Sequence, residues 1–110
     1  MTIFGNDYDT LDGTCERNYI SVIDIIQAIK NNIEHGPINS DFECLKTDTV
    51  HTNLEVVEKM QSITALDFVF GERRAGDNAK SPGVRGSKYF KPSYNLYDMC
   101  LSTFAKIVLF

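Results

Sequence analysis

The feature that most limits the fold of this chain is the alternation of short apolar runs with three stripes at helical spacing. Val22, Ile25, Ile26, Ile29 and Ile33 recur at i, i+3, i+4, i+7 and i+11, which is one face of a helix. Leu54, Val57 and Met60 mark a second helical face, and Thr52 followed three residues later by Glu55 is a capping-box pattern that fixes its start. The last stripe, Leu96, Met99, Cys100, Thr103, Phe104, Ile107 and Val108, is the most regular. Asn95 precedes it, placed to cap the amide of Asp98, with Tyr94 and Met99 as a hydrophobic staple. Tyr19 to Val22, Phe42 to Leu45 and Phe68-Val69-Phe70 are β-branched or aromatic runs of strand type. Gly36-Pro37 ends the first helix, while Gly5 to Asn18 and Ala79 to Tyr94 carry the polar and breaker residues of loops. Strands alternating with helices predict an α/β region of about three helices and three to four short strands.

Composition narrows the function classes. A chain of 110 residues makes one domain and leaves no room for separate cofactor and substrate lobes. Its net charge of −4 supplies no basic stripe, so nucleic acid is not an expected partner. The longest purely apolar run, Ile107 to Phe110, is far short of the roughly 20 residues that a membrane span needs, and the start of the chain has no apolar signal-peptide region. Cys15, Cys44 and Cys100 include no C-x-x-C pair, and His35 and His51 lack ligand spacing to them. Reduced thiols and a cytoplasmic location are therefore expected, and no zinc site.

Two segments place arginine where a polar loop meets a strand: Gly13-Thr14-Cys15-Glu16-Arg17-Asn18-Tyr19-Ile20 and Glu72-Arg73-Arg74-Ala75-Gly76-Asp77. A guanidinium fork matches phosphate oxygens, so a diphosphate could engage both Arg17 and Arg74. The Asp77 carboxylate accepts two hydroxyl donors, as a ribose diol presents. The plain alternative is that Arg17 and Arg74 form surface pairs with Glu16, Glu72 or Asp77. Arg73 reads as solvated, His51 as a surface residue, and Cys15 as a poor nucleophile because Glu16 beside it disfavours the thiolate. Gly71 to Gly76 has the spacing of a phosphate loop, but Asp77 stands where lysine is required.

The run Ile3-Phe4-Gly5-Asn6-Asp7-Tyr8-Asp9-Thr10-Leu11-Asp12-Gly13-Thr14-Cys15-Glu16-Arg17-Asn18-Tyr19-Ile20 resembles, almost residue for residue, a segment of the UDP-glucose 4-epimerases. These are extended short-chain dehydrogenase/reductases, and their segment reads IFG(N/D)DY-x-T-x-DGT-x-x-RDYIHV. Asn53 to Met60 is similar to the family's S-x-LEVV helix, Glu72 to Asp77 to its RR-x-GD element, and Phe90-Lys91-Pro92 with Leu96 to Cys100 to its closing (W/F)KP…L-x-DMC signature. Asn18 and Ser21 stand where the family has Asp and His, and Lys46 and Asp48 replace glycines of its NLGTG turn. The resemblance implies a site for UDP-galactose or UDP-glucose. Arg17 and Arg74 would contact the diphosphate and Asp77 the ribose, the Ile3-Phe4 backbone would lie against uracil, and Tyr19 would join the substrate-binding set. It also implies that in the complete enzyme a bound NAD takes a hydride from C4 of the hexose while a tyrosine removes the hydroxyl proton.

The parts for that reaction are missing from this sequence. The residues four positions after the tyrosines are Asp12, Ile23, Ser93, Asp98 and Leu101, so no Y-x-x-x-K pair exists, and no G-x-G-x-x-G fingerprint is present. The resemblance thus covers the C-terminal, substrate side of the family. Residues 1–110 are expected to form a single UDP-sugar-binding region that binds no NAD alone and has no catalytic residue. A missing N-terminal half, or a homodimer in the complete enzyme, would be its partner. A stand-alone nucleotide-sugar-binding module and a degenerate remnant are the other readings that the residues leave open.

Overall fold

The computed structural model describes residues 1–35, 44–81, 86 and 90–109. Seven elements follow in the order β1 (Thr2–Phe4), β2 (Glu16–Arg17), α1 (Val22–His35), β3 (His51–Thr52), α2 (Asn53–Gln61), β4 (Val69–Gly71) and α3 (Leu96–Leu109). They make two small sheets. In one, β1 lies parallel to β4 with Ile3 opposite Phe70 and Phe4 opposite Gly71; in the other, β2 lies antiparallel to β3 with Arg17 opposite His51.

The loop between β1 and β2 ties these pieces together. The Asp12 carboxylate accepts from the Thr14 amide at 2.9 Å, from the Thr14 hydroxyl at 2.7 Å, and from the Thr52 hydroxyl. Both hydroxyls then turn their lone pairs to the start of α2, where Thr14 Oγ1 receives the Leu54 amide and Thr52 Oγ1 the Glu55 amide. Glu55 reaches back to the Thr52 amide, completing the expected capping box. Gly13 makes the tight path possible: its φ is +85°, and a Cβ there would collide with the Asn6 carbonyl oxygen. Thr14 and Thr52 are 0% and 2% exposed, so neither hydroxyl could turn to water instead.

Helices α2 and α3 pack together and bury Val57, Leu96 and Cys100, with Ile3, Tyr8 and Cys15 as the remaining buried apolar side chains among the described residues. Asn95 caps α3 as expected, its Oδ1 receiving the Asp98 amide at 2.9 Å while its own amide donates to Asp98 Oδ2 at 3.1 Å. Burial on α3 follows Leu96 and Cys100 and leaves Thr103 exposed; the side chains of Ile107 and Val108 lie outside the described residues.

Several sequence expectations are corrected. Tyr19 to Val22 is not a strand, because Ser21 instead caps α1, its Oγ accepting the Ile23 amide at 3.2 Å. The strand falls earlier, at Glu16–Arg17, inside the stretch expected to be loop, because the Asp12 network brings residues 15–17 beside residues 51–53. Cys44 and Leu45 form no strand, and the rest of that expected run lies outside the described residues. The run at 68–70 does form β4, shifted by one residue, and pairs with a strand at 2–4 that periodicity did not indicate. Lys46 and Asp48 replace the family's glycines without strain, since no described non-glycine residue has a positive φ.

Helix α1 forms over the expected residues but turns its apolar stripe outward. Val22, Ile26, Ile29 and Ile33 are 68%, 58%, 53% and 78% exposed. What it buries is Asp24, whose carboxylate accepts the backbone amides of Ser93 and Tyr94 at 3.0 and 3.1 Å. Ile29→Glu should therefore change the unfolding free energy by no more than about 0.5 kcal/mol, as for any exposed helical position; a loss above about 2 kcal/mol in urea denaturation would show that the stripe is packed.

Partial burial of Asp12 works against its ionisation, but the hydrogen bonds from Thr52 and Thr14 outweigh it and hold the carboxyl below the usual carboxylate range. A carboxyl whose pKa is lowered by folding contributes stability above its unfolded pKa near 4, and loses it as pH falls through the lower folded value. Asp12→Asn should flatten the stability–pH curve below pH ~4. Asp12→Ala should cost about 1–3 kcal/mol at neutral pH by stranding two buried hydroxyls. Chemical denaturation across pH measures both.

Candidate functional site

Of the residues singled out in sequence, Phe4, Arg74 and Asp77 come together where β1 and β4 meet the 72–77 segment, and Arg17 and Tyr19 lie on and just after β2. The chain leaves β4 at Gly71 and turns back over Arg74–Asp77, closed by the Asp77 amide on the Arg74 carbonyl at 3.3 Å. It then passes β2, where the Glu16 amide donates to the Ala79 carbonyl at 2.7 Å and Glu16 bridges Lys80. That bridge holds the strand carrying Arg17 alongside the segment that follows Asp77. One terminal nitrogen of Arg17 donates to the Glu16 carbonyl at 2.8 Å, which braces its side chain along β2.

The two consecutive arginines are each held by one carboxylate and one aromatic ring. Arg73 donates through Nε to Asp7 Oδ1 and through Nη2 to the Asp7 carbonyl, both at 2.7 Å, with its Cζ 4.1 Å from the centre of the Tyr8 ring. It is exposed, as expected from sequence, but it is also paired, because the β1–β2 loop folds back beneath it. Arg74 donates through Nε to Asp77 Oδ2 at 3.0 Å, with its Cζ 4.5 Å from the centre of the Phe4 ring. The surface pair considered as the alternative for Arg74 is thus present, and it joins two residues of the expected ligand set. An ion pair this exposed is worth at most about 1 kcal/mol, so it orders the side chains without locking them.

Of the other expected site residues, Ile3 is 3% exposed, so its side chain belongs to the core. Tyr19 is half-buried, and its hydroxyl donates to Asn53 Oδ1 at 2.7 Å. Burial raises the Tyr19 phenol above its ordinary value, against the opposing pull of the nearby Arg17 guanidinium. Asn18 fits its place where the family has aspartate by accepting the Thr47 amide at 2.9 Å and donating to the Thr47 carbonyl at 2.7 Å. A carboxylate could make only the first of these bonds.

His51 is the residue that sequence reasoning undervalued. It sits opposite Arg17 in the β2–β3 pair, and its Nδ1 lies 2.9 Å from Glu55 Oε2, which helps to hold the Glu55 carboxyl below its usual range. The i, i+4 spacing of His51 and Glu55 was the available signal. Tyr19, Thr47, His51, Ser93, Leu96 and Met99 line a cavity of about 270 Å³ beside this pair. Cys15 is buried, consistent with an unreactive thiol, and Cys15, Cys44 and Cys100 are all free. Among the described residues no group of three metal-ligating side chains occurs, and no helix is long and apolar enough to cross a membrane.

No protein-family model matches the chain, but relatives and solved structures do. It is 34% identical to the UDP-glucose 4-epimerase of Lactobacillus helveticus over 94% of this chain and 34% of that protein, and 35% identical to that of Rhizobium meliloti over 86% and 31%. The crystal structure of the Bifidobacterium longum UDP-glucose 4-epimerase in complex with NAD+ and UDP superposes with a TM-score of 0.79 at 28% identity, over 93% of this chain and 32% of that one. The Campylobacter jejuni UDP-Glc/GlcNAc 4-epimerase superposes with a TM-score of 0.74 at 29% identity, over 96% and 34%. Fold and sequence therefore define an α/β region of the extended short-chain dehydrogenase/reductase class. Within that class the chain is similar to the UDP-glucose 4-epimerases, over their C-terminal part. It spans about a third of the length of the curated relatives that it matches.

The Tyr19–Asn53 bond links the Arg17 loop to α2. Tyr19→Phe should lower stability by about 1 kcal/mol. It should also abolish the loss of stability above pH ~10 that arises when the unfolded chain ionises this phenol before the folded one does. Thermal unfolding of both proteins between pH 7 and 11 measures the difference.

Proposed function

We propose that this chain is the UDP-recognising part of a UDP-glucose 4-epimerase. It binds UDP-galactose or UDP-glucose and does not epimerise either alone. The observation that carries the reading is the Arg74–Asp77 turn, set over Phe4 and alongside the Arg17 strand. Two guanidinium groups bind the diphosphate, Asp77 offers its carboxylate to the ribose hydroxyls while it keeps the Arg74 Nε, and the Ile3-Phe4 backbone borders the base. Tyr19 shields the Arg17 side of the site. The related structures were obtained with NAD+ and UDP, or with NAD and formylated UDP-arabinopyranose, which agrees with a nucleotide-sugar ligand.

No NAD site is assigned to the described residues. Ser21, Thr52 and Asn95 each take up one amide at the start of a helix, where a pyrophosphate would otherwise be received. No step of hydride transfer is assigned to this chain, and residues 1–110 act as one substrate-side region. The remaining two-thirds of an epimerase supplies the redox half and covers the outward apolar face of α1. The complete assembly works in the cytoplasm, where thiols such as Cys15, Cys44 and Cys100 stay reduced.

Titration calorimetry with UDP tests the reading. Binding should weaken about tenfold or more in Arg74→Ala, the equivalent of one charge-assisted hydrogen bond. An unchanged affinity in Arg74→Ala, or no heat at millimolar UDP, would overturn it. Incubated with UDP-galactose and NAD, the chain alone should form no UDP-glucose; turnover would refute the claim of incapacity.

A further inference from the structure

The family resemblance brings the backbone of Phe4 to the base and leaves its side chain without a role. We propose that the Phe4 ring is a positioning element for Arg74: ring and Asp77 carboxylate together clamp the guanidinium in the orientation that receives the diphosphate. This rests on the UDP reading above and adds to it the residue that decides where the phosphate-binding charge sits.

Three observations support the clamp. The Arg74 Cζ lies 4.5 Å from the centre of the Phe4 ring, within the range of cation–π attraction, while Nε is hydrogen-bonded to Asp77 at 3.0 Å. Ring and carboxylate thus fix one side chain from two directions, which suits a long residue that is itself 60% exposed. Phe4 pairs in register with Gly71, and a Cβ at Gly71 would lie 2.9 Å from Thr2 Cγ2 and 3.5 Å from Phe4 Cδ1. The missing side chain gives the Phe4 ring space to lie across β4 toward Arg74. Finally, Arg73 is anchored in the same manner by Asp7 and Tyr8. Arg73 is thus taken up by the β1–β2 loop, and Arg74 is the arginine whose Cζ lies over Phe4.

A Phe4 that acts through Arg74 affects phosphate binding; a Phe4 that packs on the base affects all uracil ligands alike. Calorimetry on the full chain with uridine, UMP and UDP separates the two. Phe4→Leu should weaken UDP by about three- to thirtyfold and leave uridine unchanged, and Phe4→Tyr should restore UDP affinity. The loss should vanish in an Arg74→Ala background, because the ring then has nothing to position. Equal losses for uridine and UDP, or additivity with Arg74→Ala, overturn the proposal. A ligand-free readout keeps it testable apart from binding. In the 1H–15N spectrum the Arg74 Nε–H should show an upfield ring-current shift that disappears in Phe4→Leu and persists in Phe4→Tyr. An unshifted Arg74 Nε–H in the unsubstituted chain overturns the clamp whether or not UDP binds. A shifted one in a chain that takes no UDP supports the clamp and overturns the ligand reading alone.

Discussion

The Asp12 carboxylate is the point on which the rest of this structure depends. It sits at the tip of the loop between β1 and β2, and its bonds to Thr14 and Thr52 join two stretches of chain forty residues apart. The same two hydroxyls satisfy amides at the start of α2, so one anion organises both the loop and the helix. From there the order spreads outward. Residues 16–17 come to lie beside residues 51–52, the strand carrying Arg17 is placed, and the 79–80 segment gains an edge to pair with. With so few apolar side chains buried, a polar network in which each buried hydroxyl both donates and accepts is a major source of specificity for the fold.

The site inherits its geometry from this arrangement. In a chain of net charge −4 each of these arginines has a local partner: Asp7 for Arg73, Asp77 for Arg74, and a backbone carbonyl for Arg17. Such exposed pairs order the side chains and add little to stability. The aromatic rings of Tyr8 and Phe4 restrict the side chains without neutralising them, so the positive charge remains available to an anion. The outward face of α1 has the opposite character. Val22, Ile26, Ile29 and Ile33 are exposed, while Asp24 ties the helix to the 93–94 backbone. An exposed apolar face of this kind is the type of surface that marks an interaction site.

Much of this was legible in the residues, and the parts that were not share a cause. The capping residues Thr52 and Asn95 could be read directly, because a cap is a local bond between neighbours in sequence. The extents of α1 and α3 followed from periodicity. The strands were harder: β1, β2 and β3 have only two or three residues each, too short for alternation to register, and they exist because distant segments supply their partners. Tyr19 to Val22 has the composition of a strand, yet Ser21 begins a helix there. The pairing of the exposed Arg73 was not legible because its partners, Asp7 and Tyr8, lie more than sixty residues away in sequence.

The sequence by itself determined the three helices, the caps of α2 and α3, the family to which the chain is related, and which arginines and carboxylate to examine. All of these are carried by short-range patterns or by motifs. Only the tertiary structure decided that Arg74 is paired with Asp77 and stacked on Phe4, that His51 faces Glu55 beside a cavity, and that the isoleucines of α1 point outward. Periodicity reports that a helix has an apolar side; what that side meets depends on contacts between distant segments, which spacing along the chain does not encode.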